Sequence, residues 1–309
     1  MNHIIVHHGQ FNEYLTRDGM LQVGPNVGSG INRLVVQDLD CLSLRLLLEP
    51  LYPKKLPPLI YYTDNFYLRS QPLSNIKYWP SPSILVCGDL HHGHHPLITL
   101  HQYLNVERYD GILLLCNNSM LNTVRLMTTS PVRFLPPSFF RYPKVPKVLQ
   151  PSPVLLHVGS IGKYHPDRRS IVEQLIARKN IPFLHATTSS TSEASDLYSK
   201  HALVLNIPLN NDLNHRIFEC MGASTPQIIL GSPEILGDRE YLALRQDLLW
   251  VNSVQEIEDL AVYLLEPPHY RFKDIPVYDP PDWDIEDLIK CTVAPYCFHL
   301  SSLSRQDRK

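Results

Sequence analysis

Apolar residues in this chain come in short, unbroken runs rather than in alternation. SILVCGD (83–89), GILLLCN (111–117), VLLHVGS (154–160), ALVLNIP (202–208) and QIILG (227–231) are each rich in Val, Ile and Leu. Runs of this length without a polar face predict strands buried on both sides, as in parallel sheets. HIIV at 3–6 predicts a first strand of the same kind. Between the runs lie stretches with helical spacing: HPLITLHQYLNV (95–106), DRRSIVEQLIARKN (167–180) and NHRIFECMGA (214–223). SVQEIEDLAVYLLEP (253–267) sets Ile257, Leu260, Ala261 and Leu264 on one face, with Ser253 as its cap. Strands alternating with helices predict an α/β architecture with parallel sheets.

Proline divides that pattern. The chain has 27 prolines against 13 glycines, nearly twice the usual proline share of about 5%. Six of them fall between 136 and 153, in RFLPPSFFRYPKVPKVLQPSPVLL. Proline fixes its own φ and pushes the preceding residue towards extended geometry, so this segment reads as a stiff linker. It separates an N-terminal domain at 1–148 from a C-terminal domain at 149–309, each near the usual domain size of about 150 residues. Residues past 283 predict a last helical stretch, broken at Pro295 and free to pack back on the first domain. In open α/β sheets ligands bind beyond the carboxyl ends of the strands, so the cleft between two such domains is the expected site.

Charge and cysteine content narrow the function. With 28 basic and 30 acidic side chains in 309 residues, the net charge is −2. No global field draws in a polyanion, which argues against general nucleic-acid binding. No apolar run approaches the roughly 20 residues of a bilayer span, and the N-terminus lacks the pattern of a signal peptide. A cytoplasmic protein without a transmembrane segment is the expectation. The six cysteines are scattered with no C-x-x-C pair, so they read as reduced and structural.

Two segments carry candidate chemistry. In LVLNIPLNNDLNHRIFECMGASTPQIILG a strand and a polar loop lead into a helix with Glu219 in its first turns. A carboxylate near a helix start suits bidentate acceptance from vicinal hydroxyls such as a ribose diol. Arg216, one turn earlier, either contacts a phosphate or orients that carboxylate. The small-residue turn at Gly222 to Thr225 lets main-chain amides approach a polyanion. The second segment, GDLHHGHHP, places Asp89, His91, His92, His94 and His95 after a strand. Such a cluster serves as a general base for an acceptor hydroxyl, as a metal site, or as a solvated loop. A base role for Asp89, His91 or His92 is preferred. VGPNVGSGI (23–31) reads as a plain turn.

Absences count as well. There is no G-x-x-x-x-G-K-[ST] loop and no strand-bounded G-x-S-x-G, which excludes a P-loop NTPase and disfavours an α/β hydrolase. The D-L-D at 38–40 lies in VVQDLDCLSLRLLLE and reads as the solvated face of a helix.

The block NIPLNNDLNHRIFECMGASTPQIIL resembles the nucleotide-binding block of GT-B glycosyltransferases, most closely the CgeB-like branch of the group 1 (family 4-like) enzymes. LLHVGSIGKYHPDRRSIVEQLIARKNIPF is similar to the opening of that family's C-terminal domain, and DLLWVNSVQEIEDLAVYLLEPP to its close. The resemblance implies two Rossmann-like domains facing across a cleft. It implies a nucleotide-sugar donor, UDP- or GDP-linked, a carbohydrate, lipid-linked or protein acceptor, and neither metal nor further cofactor. Glu219 matches the second glutamate of the E-x7-E motif, which in the family binds the donor ribose, and the first falls at Asn211. Gly159 and Ser160 match the turn that approaches the diphosphate, with Arg168 as the cation for the phosphates. Asn206 and Gly222 fall in the same donor block. The expected activity is sugar transfer to an acceptor hydroxyl. Its rivals are a metal-dependent hydrolase or phosphoesterase built on GDLHHGHH, and a non-catalytic nucleotide- or sugar-binding protein of the same fold.

Overall fold

The computed structural model describes residues 3–9, 19–88, 90, 96–115, 118–135, 142–163, 165–209, 213–236 and 245–266. The chain divides between residues 139 and 140 into two compact units, each built on one parallel sheet. The segment from Tyr142 onward, read above as linker, therefore belongs with the second sheet. The helical stretch expected past 283 lies outside the described residues.

The first unit holds strands β1 (His3–Val6), β2 (Met20–Gly24), β3 (Arg33–Val35), β4 (Leu59–Thr63), β5 (Ser83–Cys87), β6 (Gly111–Leu115) and β7 (Val132–Leu135). They pair in the order β3-β2-β1-β4-β5-β6-β7, and every pairing is parallel. β4, β5 and β6 are buried at every position, which is why their sequences show no alternation. Helices α1 (Cys41–Leu48), α2 (Asn65–Ser70), α3 (Pro96–Val106) and α4 (Leu121–Arg125) cover the sheet. The core joins Ile4, Val6, Leu59, Leu85 and Leu114 of the strands to Leu44 and Leu100 of the helices. Each fully buried side chain of this size contributes about 1.5–3 kcal/mol.

The aspartates at 38 and 40 correct an expectation. They precede α1 instead of lining its solvated face. Asp40 is the N-cap, and its carboxylate accepts from the Ser43 amide at 3.0 Å. An acceptor here satisfies an amide that the first turn leaves without a partner.

The second unit holds β8 (Ser152–Val158), β9 (Phe183–Ala186), β10 (His201–Asn206), β11 (Gln227–Leu230) and β12 (Leu248–Val251). Their order is β12-β11-β10-β8-β9, again all parallel. Helices α5 (Pro166–Arg178), α6 (Thr191–Lys200), α7 (His215–Gly222) and α8 (Val254–Leu265) complete it. Leu155, Leu203 and Leu205 pack with α5 and α8 on one face, while Leu156, Val158 and Val204 pack with α6 and α7 on the other. Ser253 caps α8 as its sequence predicts, accepting from the Glu256 amide. Among the described residues no helix is long and apolar enough to cross a membrane.

Two anchors fix the helices of this unit. Glu258 on α8 is almost fully buried and pairs with Arg178 on α5 at 2.8 Å. Lys147, from the segment preceding β8, donates to the carbonyls of Tyr198 and His201 and, at 2.8 Å, to the Thr225 hydroxyl. Burial pulls its pKa down to about 7.

Gly24 is a point of close approach in the first unit. The His7 amide donates to Val23, and the chain passes so near that a Cβ on Gly24 would overlap the His7 carbonyl oxygen. Backbone cannot yield there as a side-chain tip would. Gly24→Ala should therefore cost at least about 2 kcal/mol, read as a lower urea midpoint. A midpoint equal to wild type would show that β1 and β2 can separate freely.

Candidate functional site

In the second sheet the chain runs from β8 outward to β9, then crosses back over β8 to β10. Loops leaving the two strands on either side of such a reversal diverge and open a crevice at the strands' carboxyl ends. The residues at that crevice come from the turn after β8, the first turns of α5 and α7, and the last residue of β10.

Gly159 follows β8 with φ +142°, a conformation that L side chains rarely adopt. A Cβ built there would lie 2.5 Å from Nη2 of Arg216 and 3.8 Å from Nη1 of Arg168. The missing side chain is thus what admits two guanidinium groups to one strand end. Arg168 stands in the first turn of α5 and is almost fully buried. Its Nη2 donates to the Ile207 carbonyl at 3.0 Å and its Nη1 to the Ser160 carbonyl at 3.3 Å, tying together the loops after β8 and β10. His165, the N-cap of α5, makes no side-chain capping bond to the first turn, where amide groups and the helix dipole favour an anion.

Asn206 is fully buried and bonds inward. It exchanges two hydrogen bonds with Asn214, at 2.9 and 3.1 Å, and donates to Gln227 at 3.3 Å. Its Oδ1 also accepts from Nη1 of Arg216 at 3.4 Å. Asn206 thereby orients Arg216 and Asn214. Because α7 starts at His215, Glu219 lies in its second turn, and Asn214 is the N-cap. The Tyr198 hydroxyl donates to its Oε2 at 3.2 Å. Burial, and then the Glu219 charge, hold the Tyr198 phenol well above its usual pKa, so it remains a proton donor to the carboxylate.

The structure brings Gly159, Ser160, Arg168, Asn206, Arg216 and Glu219 into one neighbourhood. Gly222 it places elsewhere, at the end of α7. There a Cβ would lie 2.6 Å from the Pro143 carbonyl oxygen, and the Gly222 carbonyl accepts from the Val145 amide. Its bareness serves the packing of the 142–145 segment. Asn211, Asp89, His91 and His92 lie outside the described residues. Asn214, Gln227, Tyr198 and His157 were not singled out in the sequence. Asn214 alone had a local signal, as an asparagine directly before a helix.

The first sheet has its own reversal, at β1 and β4, and His7 and His8 follow β1 there. The Gly9 amide donates to Nδ1 of His7, so Nε2 carries the proton and donates to Gln22 at 3.1 Å. His8 donates from Nε2 to the Gln71 carbonyl at 2.7 Å and stacks on Tyr67 with 4.2 Å between ring centres. Burial lowers the pKa of both rings, that of His7 to about 4.

No protein-family model and no curated protein matches the sequence. Solved structures do. Sucrose-phosphate synthase from Thermosynechococcus elongatus is 12% identical, with a TM-score of 0.51 over 87% of this chain and 91% of that one. A DNA-modifying β-glucosyltransferase is 14% identical, with a TM-score of 0.45 over 89% and 92% of the two chains. S. aureus TarM is 12% identical with a TM-score of 0.47; the match takes in 71% of this chain, which spans about half of TarM, 50% of its length. At such identity the likeness is one of fold. The chain has the α/β architecture of GT-B glycosyltransferases, with two Rossmann-like parallel sheets.

The buried histidines give the fold an acid limit. Burial holds His7 at about 4 and, followed by the Arg216 and Arg168 charges, His157 at about 2. Both rings are neutral when folded, but the unfolded chain takes up protons below pH 6.5. Stability should therefore fall as pH drops from 6.5 towards 4, by about 1.4 kcal/mol per pH unit for each ring. Urea midpoints measured across that range should show the decline, flattened in His7→Gln and in His157→Gln. An acid limb unchanged in both variants would mean that the rings already carry charge in the folded protein.

Proposed function

We propose that this chain transfers a sugar from a nucleotide-sugar donor to an acceptor hydroxyl, and that the donor binds the second unit at the carboxyl ends of β8 and β10. The observation that carries this reading is Gly159 with two arginines against it. A side-chain-free turn, two guanidinium groups and a helix start on one crevice form a site for a diphosphate. Nε of Arg216 is buried without a hydrogen-bond partner among the described residues. A buried charged donor left unmet costs free energy, which an anionic ligand recovers.

Each group has a task in this reaction. The acceptor oxygen attacks the anomeric carbon as its bond to the diphosphate oxygen breaks. The leaving diphosphate gains one negative charge, so Arg168, Arg216 and the α5 amides bind it more strongly in the transition state than in the ground state. Glu219, steadied by Tyr198, accepts from the two ribose hydroxyls of the donor. The proton of the acceptor hydroxyl goes to a base in the 89–92 segment, for which Asp89, His91 and His92 are the candidates. No step calls on a metal ion or on a cofactor besides the donor. UDP and GDP are the nucleotides favoured by the resemblance in the donor block.

Thermal unfolding with UDP, GDP, CDP, ADP and dTDP, with and without EDTA, tests the reading. One nucleotide at 100 times its Kd should add about 2.7 kcal/mol of stability, and EDTA should leave that gain intact. Arg216→Met should weaken the ligand by about 10- to 150-fold, the worth of a charged hydrogen bond. Glu219→Ala should weaken nucleotides without affecting inorganic pyrophosphate. No stabilisation by any of the five would overturn the proposal.

A further inference from the structure

Close to the two arginines the second sheet carries a histidine pair that the reaction above leaves without a task. His157 on β8 and His185 on β9 are register partners, with their Nδ1 atoms 3.1 Å apart and ring centres 5.2 Å apart. A hydrogen bond between two Nδ1 atoms requires one ring to carry the proton there and the other to be bare. His157 is fully buried, and its Nε2 has no hydrogen-bond partner among the described residues. His185 is half-buried. Among the described residues, the charged and titratable groups acting on His157 are Arg216 from α7, Arg168 from α5 and His185 from β9.

We propose that the His157–His185 pair takes up a proton when a diphosphate binds at Arg168 and Arg216. The inference rests on the reading of that crevice as a diphosphate site. Without ligand, burial and then the Arg216 and Arg168 charges hold the His157 ring neutral. A diphosphate diester brings two negative charges to the same place. It cancels the arginine field at the rings and leaves a net attraction for a proton. The pair accommodates that proton well: the half-buried His185 becomes the imidazolium and donates from Nδ1 to the bare Nδ1 of His157. A charge-assisted bond of this kind is stronger than the neutral one it replaces. The ligand is then balanced by three cationic groups, one of which exists only in the complex.

The sign of the pH effect follows. Because binding takes up a proton, affinity strengthens as pH falls and weakens as pH rises. His157 and His185 are positioning residues in this scheme, and net proton exchange is a readout that a purely structural role would not move.

The test is titration calorimetry of the full chain with UDP-, GDP-, CDP-, ADP- and dTDP-glucose, at about pH 6.5, in buffers of low and high ionisation enthalpy. These diesters have no second phosphate ionisation near neutrality, so any proton exchanged belongs to the protein. Wild type should take up more than about 0.3 proton per ligand bound. His157→Gln and His185→Gln should still bind, with uptake below about 0.1 proton. A ligand that binds wild type without proton uptake overturns the inference and leaves the diphosphate site standing. Equal uptake in wild type and both variants overturns it as well. If none of the five ligands binds, the diphosphate reading fails and the inference fails with it. Should the fully buried His157 tolerate no substitution, wild type and His185→Gln decide the matter.

Discussion

Two guanidinium groups against the same backbone turn repel each other, and much of the second unit can be understood as the means of keeping them there. Arg168 is pinned by two carbonyls, of Ser160 and Ile207, from the two loops that flank the crevice. Arg216 is held by Asn206, itself locked to Asn214 and Gln227 in the interior. The acceptors in these holds are neutral oxygens, which fix the geometry of a cation without cancelling its charge. A salt bridge in the same place would hold an arginine as firmly and cancel it.

That arrangement depends on the helices that deliver the arginines. α5 carries Arg168 at its start and Arg178 at its end, and Arg178 is bonded to the buried Glu258 on α8. A carboxylate out of water needs its partner, so the helix cannot slide without exposing an unpaired charge. α7 is set by Asn214 at its first turn and by the Gln227 amide, which donates to the Ile217 carbonyl. Both cationic side chains are thus placed by polar bonds made at the sheet.

Six strands of this fold could be read directly from the sequence, because burial on both faces turns them into plain apolar runs. β3, with its exposed Arg33 and Val35, and the edge strand β9 carry no such run. β4 is as buried as β5, but its LIYYT sequence ends in two tyrosines and a threonine and hides that burial. The arginines and Glu219 were legible because their spacing within one helix, or just after one turn, survives in one dimension. Their supports were not. Asn206 with Gln227, Tyr198 with Glu219 and His157 with His185 are separated by 21, 21 and 28 residues. Only strand order brings them together. The D-L-D segment misled because an N-cap aspartate and a helical one look alike until the first turn is located.

The attachment of the 142–148 segment bears on how this architecture can be cut and joined. Lys147 fills three acceptors of the second unit, and Val145 and Val148 add two backbone bonds, to Gly222 and Ser199. A crossover placed in the proline-rich stretch just before β8, where the sequence invites it, would keep all five strands and remove the plug, and with it the one ammonium that joins the Tyr198 and His201 carbonyls to the Thr225 hydroxyl. Gene fusions and chimaeras that exchange the second half are therefore viable only if the donated fragment begins upstream of Tyr142. In evolutionary terms the inherited module is longer than its sheet.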